Sequence, residues 1–191
     1  MASTTSKPRY LFALDFMNMP CAPDEIRARE IARFHSSNPD GIACWYATPH
    51  TGPENPDYMR RTHGIYAYLF NYDGSANYCL YRADWNDWAG PYEPFLRGLL
   101  CVYATRDSVL DTLAWEGIRE GLDDVRYATL LKEKAMEALK SPSSEVYFTG
   151  REALNFIAYF DPYRDSADLF RMECIDWILK LDEALKGDKT K

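Results

Sequence analysis

The chain has 191 residues, of which 47% are hydrophobic, 15% aromatic and 27% charged, and its formal net charge is −7. This length and composition suffice for one domain with a proper core and exclude global disorder. The acidic charge argues against nucleic acid or a membrane surface as partner. No apolar run approaches the roughly 20 residues that span a bilayer.

Five cysteines are scattered along the chain without a C-x-x-C pair, and there are only three histidines. An odd number of cysteines at such spacings argues against a disulfide framework and against a zinc site. We therefore expect free thiols that behave as small hydrophobes, with no metal and no cofactor. Residues 1–8 are polar and lack an apolar core, so we expect a disordered lead-in and no signal peptide, and the compartment stays unassigned.

Strands alternate with helices in the first part of the chain. The predicted strands are residues 10–16, 42–48 and 76–81, and the helices between them are residues 24–34 and 56–68. Proline and acidic residues lie near the start of the first helix, and Asn55-Pro56 begins the second. Because parallel strands are joined by helical crossovers, this alternation predicts a parallel sheet.

An amphipathic helix is predicted within residues 109–140, with apolar residues on one side and charged residues on the other. Thr112 or Asp111 can supply its N-cap oxygen. Gly117 and Gly121 lie on the apolar side, although glycine costs about 1 kcal/mol relative to alanine at an exposed helix position. Two glycines on the buried face predict the close approach of another backbone or of a large aromatic ring.

The same helix contains charged and aromatic residues at fixed offsets. They are Trp115-Glu116, Arg119-Glu120-Gly121, Asp123-Asp124 and Arg126-Tyr127. This run resembles the signature helix of glycoside hydrolase family 123 and related barrel proteins, R-W-E-x-x-R-E-G-x-x-D-Y-x-Y. Upstream, Val102-Tyr103 and Arg106-Asp107 resemble the V-Y-P-x-x-D-G turn of that family. Ala114 and Val125 depart from the pattern, since the family usually has arginine and often tyrosine at these positions.

The resemblance implies an α/β fold. A complete (β/α)₈ barrel needs about 250 residues, so we expect residues 9–140 to form a partial (β/α) barrel. This part would be the last three strand–helix units of a TIM-like barrel, with the signature helix at 109–140. Residues 141–187 are expected to be a C-terminal helical extension of the same domain, with helices at 151–160 and 166–186. The missing N-terminal part of the barrel is then an expected partner.

Ligands of parallel α/β sheets lie beyond the carboxyl ends of the strands. This rule selects hydrogen-bonding and stacking side chains that suit a carbohydrate ligand. The candidate substrate-binding residues are Asp15, Trp45, Tyr46, Tyr81, Arg82 and Trp85. Glu116, Arg119 and Asp123, spaced i, i+3 and i+7, form a candidate supporting ion-pair ladder. A solvated helix face is the other interpretation of this triad.

Family 123 is understood to cleave N-acetylgalactosaminides by a substrate-assisted route, with an adjacent Asp-Glu pair at a strand end. Asp24-Glu25 and Asp182-Glu183 do not directly follow a predicted strand, so the catalytic residues stay unassigned. We expect the C-terminal part of a glycoside hydrolase acting on N-acetylhexosaminide-containing glycans. The alternatives are a non-catalytic carbohydrate-binding or domain-assembly module and a structural domain whose aromatic residues form the core.

Overall fold

The computed structural model describes residues 2–4, 19–22, 28–46, 55–76, 80 and 101–189. Within these residues the fold is mixed α/β and rich in helix, with short sheets and no closed barrel. The chain divides into two compact units, Met1–Leu122 and Asp123–Lys191. Each helix in the described part is too short or too polar to cross a bilayer.

The first unit contains a four-stranded parallel sheet whose strands follow chain order. The strands are β1 (Ala2–Thr4), β2 (Met19–Ala22), β3 (Cys44–Tyr46) and β4 (Gly74–Ala76). Helix α1 (Ala28–Ser37) lies between β2 and β3 in the chain. A second helical stretch connects β3 to β4. The prediction of parallel strands joined by a helix is confirmed for β3 and β4, whereas β2 was not predicted.

The helical stretch between β3 and β4 changes its hydrogen-bond pattern twice. It consists of α2 (Pro56–Arg60), a π-helical segment (Arg61–Tyr66) and α3 (Ala67–Leu69). The Asn55 side chain caps α2, because its Oδ1 accepts a hydrogen bond from the Tyr58 N–H at 3.2 Å. The predicted helix over residues 56–68 is therefore confirmed, but its π segment was not predicted.

Several stretches differ from their sequence-based expectations. The strand β4 (Gly74–Ala76) overlaps the predicted strand at residues 76–81 only at Ala76. Ala2–Thr4 was expected to be disordered, yet it forms β1 beside Met19–Ala22. Strand pairing uses main-chain groups, so a polar sequence can take part in it. Val109–Asp111 was expected to begin the long helix, but it forms β6, antiparallel to β5 (Val102–Ala104). The predicted strand at residues 10–16 lies outside the described residues.

The turn between β5 and β6 explains why the long helix begins late. The Thr105 N–H donates to the Ser108 carbonyl at 2.8 Å, and the Ser108 N–H donates to Thr105 Oγ1 at 2.9 Å. These bonds close a hairpin, so residues 109–111 pair with β5 instead of entering the helix. Helix α4 (Leu113–Ala138) then begins at Thr112, whose Oγ1 accepts from the Trp115 N–H at 3.2 Å. Of the two predicted N-cap residues, Thr112 and Asp111, the structure uses Thr112.

Two apolar clusters form the core of the first unit. One consists of Ile31, Phe34, Ala43, Trp45, Tyr66, Ala67 and Tyr72, with Phe70 packed against it. The other consists of Met59, Cys101, Val102 and Ala114, with Tyr58, Trp115 and Ile118 packed against it. The first cluster joins β3 to α1 and to the helical stretch before β4. The second joins α2, β5 and the start of α4.

The second unit is helical. It contains the rest of α4, α5 (Ser144–Tyr159) and α6 (Ala167–Lys189). The two predicted C-terminal helices are confirmed, although α5 begins well before residue 151. The buried stripe of α6 is Phe170, Cys174, Ile178, Leu181 and Leu185. Ion pairs of Arg171 with Asp124 and of Lys134 with Asp182 join α6 to α4 within this unit.

Candidate functional site

The four strands of the parallel sheet end at one edge. The last residues of β2, β3 and β4 are Ala22, Tyr46 and Ala76. Because the strands are parallel, their carboxyl ends point the same way, and this edge is where open α/β sheets bind ligands. Among the predicted binding residues, Asp15, Tyr81, Arg82 and Trp85 lie outside the described residues. Trp45 and Tyr46 are the two that the structure places.

Trp45 faces the helices and lies in the core. Its ring stacks on Tyr66 with the centroids 5.8 Å apart and meets Tyr72 edge-on at 5.6 Å. Only 3% of its surface is exposed. A sugar stacks on an open ring face, and Trp45 has none in this arrangement. Replacing Trp45 by alanine would disrupt this core, since truncating a buried tryptophan costs about 3–5 kcal/mol.

Tyr46 lies on the opposite face of β3, because successive strand side chains point to opposite sides. It is half-buried and is the last residue of its strand. Its register partner on β4 is Ala76, and Cys44 pairs with Gly74 on the same side. Small neighbours leave room beside a large ring. Tyr46 is therefore the described residue whose position suits contact with a ligand at the carboxyl edge.

The helix-facing side of β4 carries a buried polar contact that the sequence analysis missed. Ser75, the register partner of Trp45, has its Oγ 2.9 Å from His63 Nδ1. His63 is 4% exposed and belongs to the π-helical segment. This bond fixes the π segment against the strand beside Tyr46. A π segment has no marked residue pattern, although such segments often lie near functional sites.

The amino ends of the same strands are held by Asp73. Its Oδ2 accepts a hydrogen bond from the Ala43 N–H at 2.7 Å and lies 3.5 Å from His35 Nε2. Asp73 directly precedes β4, and Ala43 directly precedes β3. The carboxylate thus connects α1 to the starts of two neighbouring strands. This arrangement fixes the strand register at the edge opposite the candidate site.

Gly117 and Gly121 of α4 contact the backbone of the helical stretch before β4, and we call this contact the glycine crossing. A Cβ on Gly121 would lie 2.5 Å from the Arg60 carbonyl oxygen and 3.1 Å from the Gly64 nitrogen. A Cβ on Gly117 would overlap the backbone of Pro56. The predicted close approach of another backbone to these glycines is confirmed. The contact fixes α4 against the helix that carries His63.

The predicted supporting triad resolves into two ion pairs, each three residues apart. Arg119 Nη1 donates to both carboxylate oxygens of Glu116, at 2.9 and 3.0 Å. Asp123 pairs with Arg126. All four side chains are substantially exposed, and exposed pairs of this spacing contribute about 0.2–0.5 kcal/mol each. These pairs therefore support the helix locally, and a role in positioning the strand loops stays a prediction.

Cysteine and histidine chemistry does not add a site to the described part of the chain. Cys44, Cys101 and Cys174 are buried there and form no disulfide. Among residues 2–4, 19–22, 28–46, 55–76, 80 and 101–189, no three or more His, Cys, Asp and Glu side chains form a group that could hold a metal ion. In these segments the thiols are packing groups.

Cys174 should resist alkylation in the folded protein. Burial, followed by the negative charges of Asp124 and Glu173, raises the pKa of its thiol from 9.0 to about 12. Because the thiolate is the reactive form, we expect iodoacetamide at pH 8 to label Cys174 only after unfolding in urea. Peptide mass spectrometry measures the labelled fraction. Rapid labelling of Cys174 in the native chain would contradict its buried position.

The same shift predicts a loss of stability at alkaline pH. Between pH 9 and about 12 the unfolded thiol loses its proton while the folded thiol keeps it. The contribution of Cys174 to the free energy of unfolding is therefore complete below pH 9 and is lost as the pH rises toward 12. A Cys174→Ala variant should show a shallower decline over this range.

Neither a protein-family model nor a curated protein sequence matches this chain. Among solved structures, the chain is similar to a family 123 glycoside hydrolase from Clostridium perfringens, whose structure details glycolipid glycan hydrolysis. The sequence identity is 15% and the TM-score is 0.49. The similarity covers 95% of this chain and 34% of that chain, so this chain spans about a third of the enzyme's length.

Proposed function

We propose that this chain is the C-terminal part of a (β/α)-barrel glycoside hydrolase that acts on glycans containing N-acetylhexosamine. In this proposal it supplies aromatic side chains that bind the sugar. The observation that carries the proposal is the parallel sheet, whose strands follow chain order and end at one carboxyl edge. Enzymes built from β/α units bind their substrates at that edge.

The glycine crossing supports the choice of family. Gly121 belongs to the run that resembles the family 123 signature helix, and Gly117 lies one turn before it. Both glycines have the backbone of the preceding β/α helix against them. If these glycines had no packing role, an added Cβ would not meet the backbone of a neighbouring helix. The segment that resembles the family helix therefore also makes a close packing contact inside a β/α unit.

Tyr46 is the proposed sugar contact among the described residues. It is the last residue of β3, on the face opposite Trp45, and its register partner is Ala76. A tyrosine combines an apolar ring face for the C–H side of a sugar with a hydroxyl that exchanges hydrogen bonds. Asp15, Tyr81, Arg82 and Trp85 are proposed to complete the subsite. Their positions after predicted strands are the reason for including them.

The acid–base pair is proposed to lie in the part of the barrel that precedes this chain. Of the two Asp-Glu pairs, Asp182-Glu183 lies in the middle of α6, and Asp182 is bound to Lys134. That placement suits a structural ion pair. Asp24-Glu25 lies outside the described residues. The chain would then bind sugar by itself but hydrolyse glycosides only within the full barrel.

Replacing Tyr46 by alanine tests the proposed subsite. We expect binding of methyl N-acetyl-β-galactosaminide to weaken about tenfold, because one aromatic contact of this kind accounts for roughly that factor. Isothermal titration calorimetry measures the affinity. Tyr103→Ala is the matched control, since Tyr103 is also a half-buried strand tyrosine but lies on β5 of the separate two-stranded sheet. Equal affinities for both variants and the parent chain would remove Tyr46 from the site.

A non-catalytic carbohydrate-binding module is the second candidate. Two observations on the described residues favour it. Asp182 forms an ion pair with Lys134 inside a helix, and no Asp-Glu pair lies at the end of a described strand. Reading the coding sequence that precedes residue 1 separates the two candidates. A strand followed by an Asp-Glu pair there supports the enzyme. Release of aryl alcohol from an aryl N-acetylgalactosaminide by the extended chain then tests turnover, and lack of release despite sugar binding supports the module.

A further inference from the structure

The second unit contains a cleft between two of its helices. It has a volume of about 320 Å³ and is lined by Asp123, Arg126, Tyr127, Leu130 and Arg171. The first four residues follow one another on α4, and Arg171 comes from α6. The volume lies at the lower end of the range typical of small-molecule sites. A single sugar ring fits a cleft of this size better than a longer ligand does.

One wall of the cleft is fixed by a buried ion pair. Arg171 Nε donates to Asp124 Oδ1 at 2.6 Å, and Asp124 is 0% exposed. The Arg171 guanidinium carbon lies 5.9 Å from the centre of the Tyr127 ring, within the range of a cation–π contact. The guanidinium plane and the tyrosine ring are therefore held in place before any ligand arrives. Preorganised groups lose little conformational entropy on binding.

The charges of the cleft balance. Arg171 is paired with Asp124, and Arg126 is paired with Asp123, so two cations face two anions. A cleft of this kind has no excess of positive charge to attract a phosphate or a free carboxylate. It offers planar donors and acceptors beside an aromatic ring and the apolar side chain of Leu130. Neutral polyols, which carry both hydroxyl groups and apolar C–H faces, match this combination.

We propose that this cleft is a second, non-catalytic binding site for a neutral sugar residue of the glycan. Tyr127 supplies the ring surface, and Arg126 and Asp123 exchange their mutual ion pair for hydrogen bonds to vicinal hydroxyl groups. Breaking this ion pair costs little free energy, because Arg126 is 77% exposed and such exposed pairs are weak. The identification of the ligand as a sugar rests on the proposed function, whereas the site itself rests on the cleft.

The test is a titration of the whole chain with methyl N-acetyl-β-galactosaminide, in which amide chemical shifts in NMR spectra report binding. We expect shifts at residues 123–130 and at residue 171, and a loss of affinity of about tenfold in Tyr127→Ala. Tyr159→Ala is the matched control, because Tyr159 is a helix tyrosine that is 84% exposed and does not line the cleft. Arg126→Ala provides a second variant on the cleft surface and should also weaken binding.

The same titration separates this inference from the proposed function. Shifts near residue 46 report the sheet edge, and shifts near residue 127 report the cleft, so either can fail alone. Absence of shifts near residue 127, or equal affinity in Tyr127→Ala, Arg126→Ala and the parent chain, overturns the second site. Parallel titrations with acetate and inorganic phosphate complete the test. Shifts at residues 123–130 from these anions but not from the sugar would overturn it as well.

Discussion

Replacing Gly121 by alanine is expected to lower the free energy of unfolding by about 1–3 kcal/mol, the usual cost of inserting a methyl group into a packed contact. The new Cβ would lie 2.5 Å from the Arg60 carbonyl oxygen and 3.1 Å from the Gly64 nitrogen. Both neighbours are backbone atoms, so no side chain can turn away to make room. Alanine favours helix by about 1 kcal/mol over glycine at an exposed position, and the overlap has to exceed that gain.

Gly187→Ala is the matched control for this experiment. Gly187 also lies in a helix, α6, and an added Cβ there meets nothing within 4 Å. We expect Gly187→Ala to leave stability unchanged or to raise it by up to about 1 kcal/mol. Urea unfolding followed by circular dichroism measures both variants. If Gly121→Ala were as stable as Gly187→Ala, the glycine crossing would not be the close contact described above.

Replacing Arg171 by alanine is expected to destabilise the second unit by about 3–5 kcal/mol, the range found when one partner of a buried ion pair is removed. Asp124 is fully buried, and Arg171 Nε lies 2.6 Å from its carboxylate. Without the guanidinium, the fully buried Asp124 carboxylate loses this ion pair. Thermal or urea unfolding followed by far-ultraviolet circular dichroism measures the loss.

Two further variants show whether the loss comes from the buried charge. Arg126→Ala removes an arginine from an exposed pair on the same helix surface, so we expect a change of less than about 1 kcal/mol. The double variant Asp124→Leu with Arg171→Met removes both charges and should recover most of the stability lost in Arg171→Ala. If the double variant were less stable than Arg171→Ala, uncompensated charge would not explain the effect.

The sequence predicted the parts of the fold that depend on local patterns. Asn55 before Pro56, Thr112 before α4 and the break at Asp161-Pro162 are helix signals that act through nearby main-chain groups, and each coincides with a helix boundary. The role of Gly117 and Gly121 could also be predicted. Their cost in a helix is unexplained unless a neighbour approaches closely.

The parts that were missed depend on contacts between distant residues. Gly64 belongs to the π segment and meets Gly121, which lies far along the chain, so no local pattern marks it. The burial of Trp45 follows from which face of β3 the helices cover, and a short apolar strand does not reveal that face. The pairing of Ala2–Thr4 with Met19–Ala22 uses main-chain groups and leaves no side-chain signal.

A crystal structure of the chain soaked with N-acetylgalactosamine tests most directly whether the carboxyl edge of the sheet binds sugar. We predict a sugar ring in contact with the Tyr46 side chain beyond the ends of β3 and β4. Electron density for the sugar only elsewhere, with Tyr46 covered by protein on both ring faces, would contradict the account.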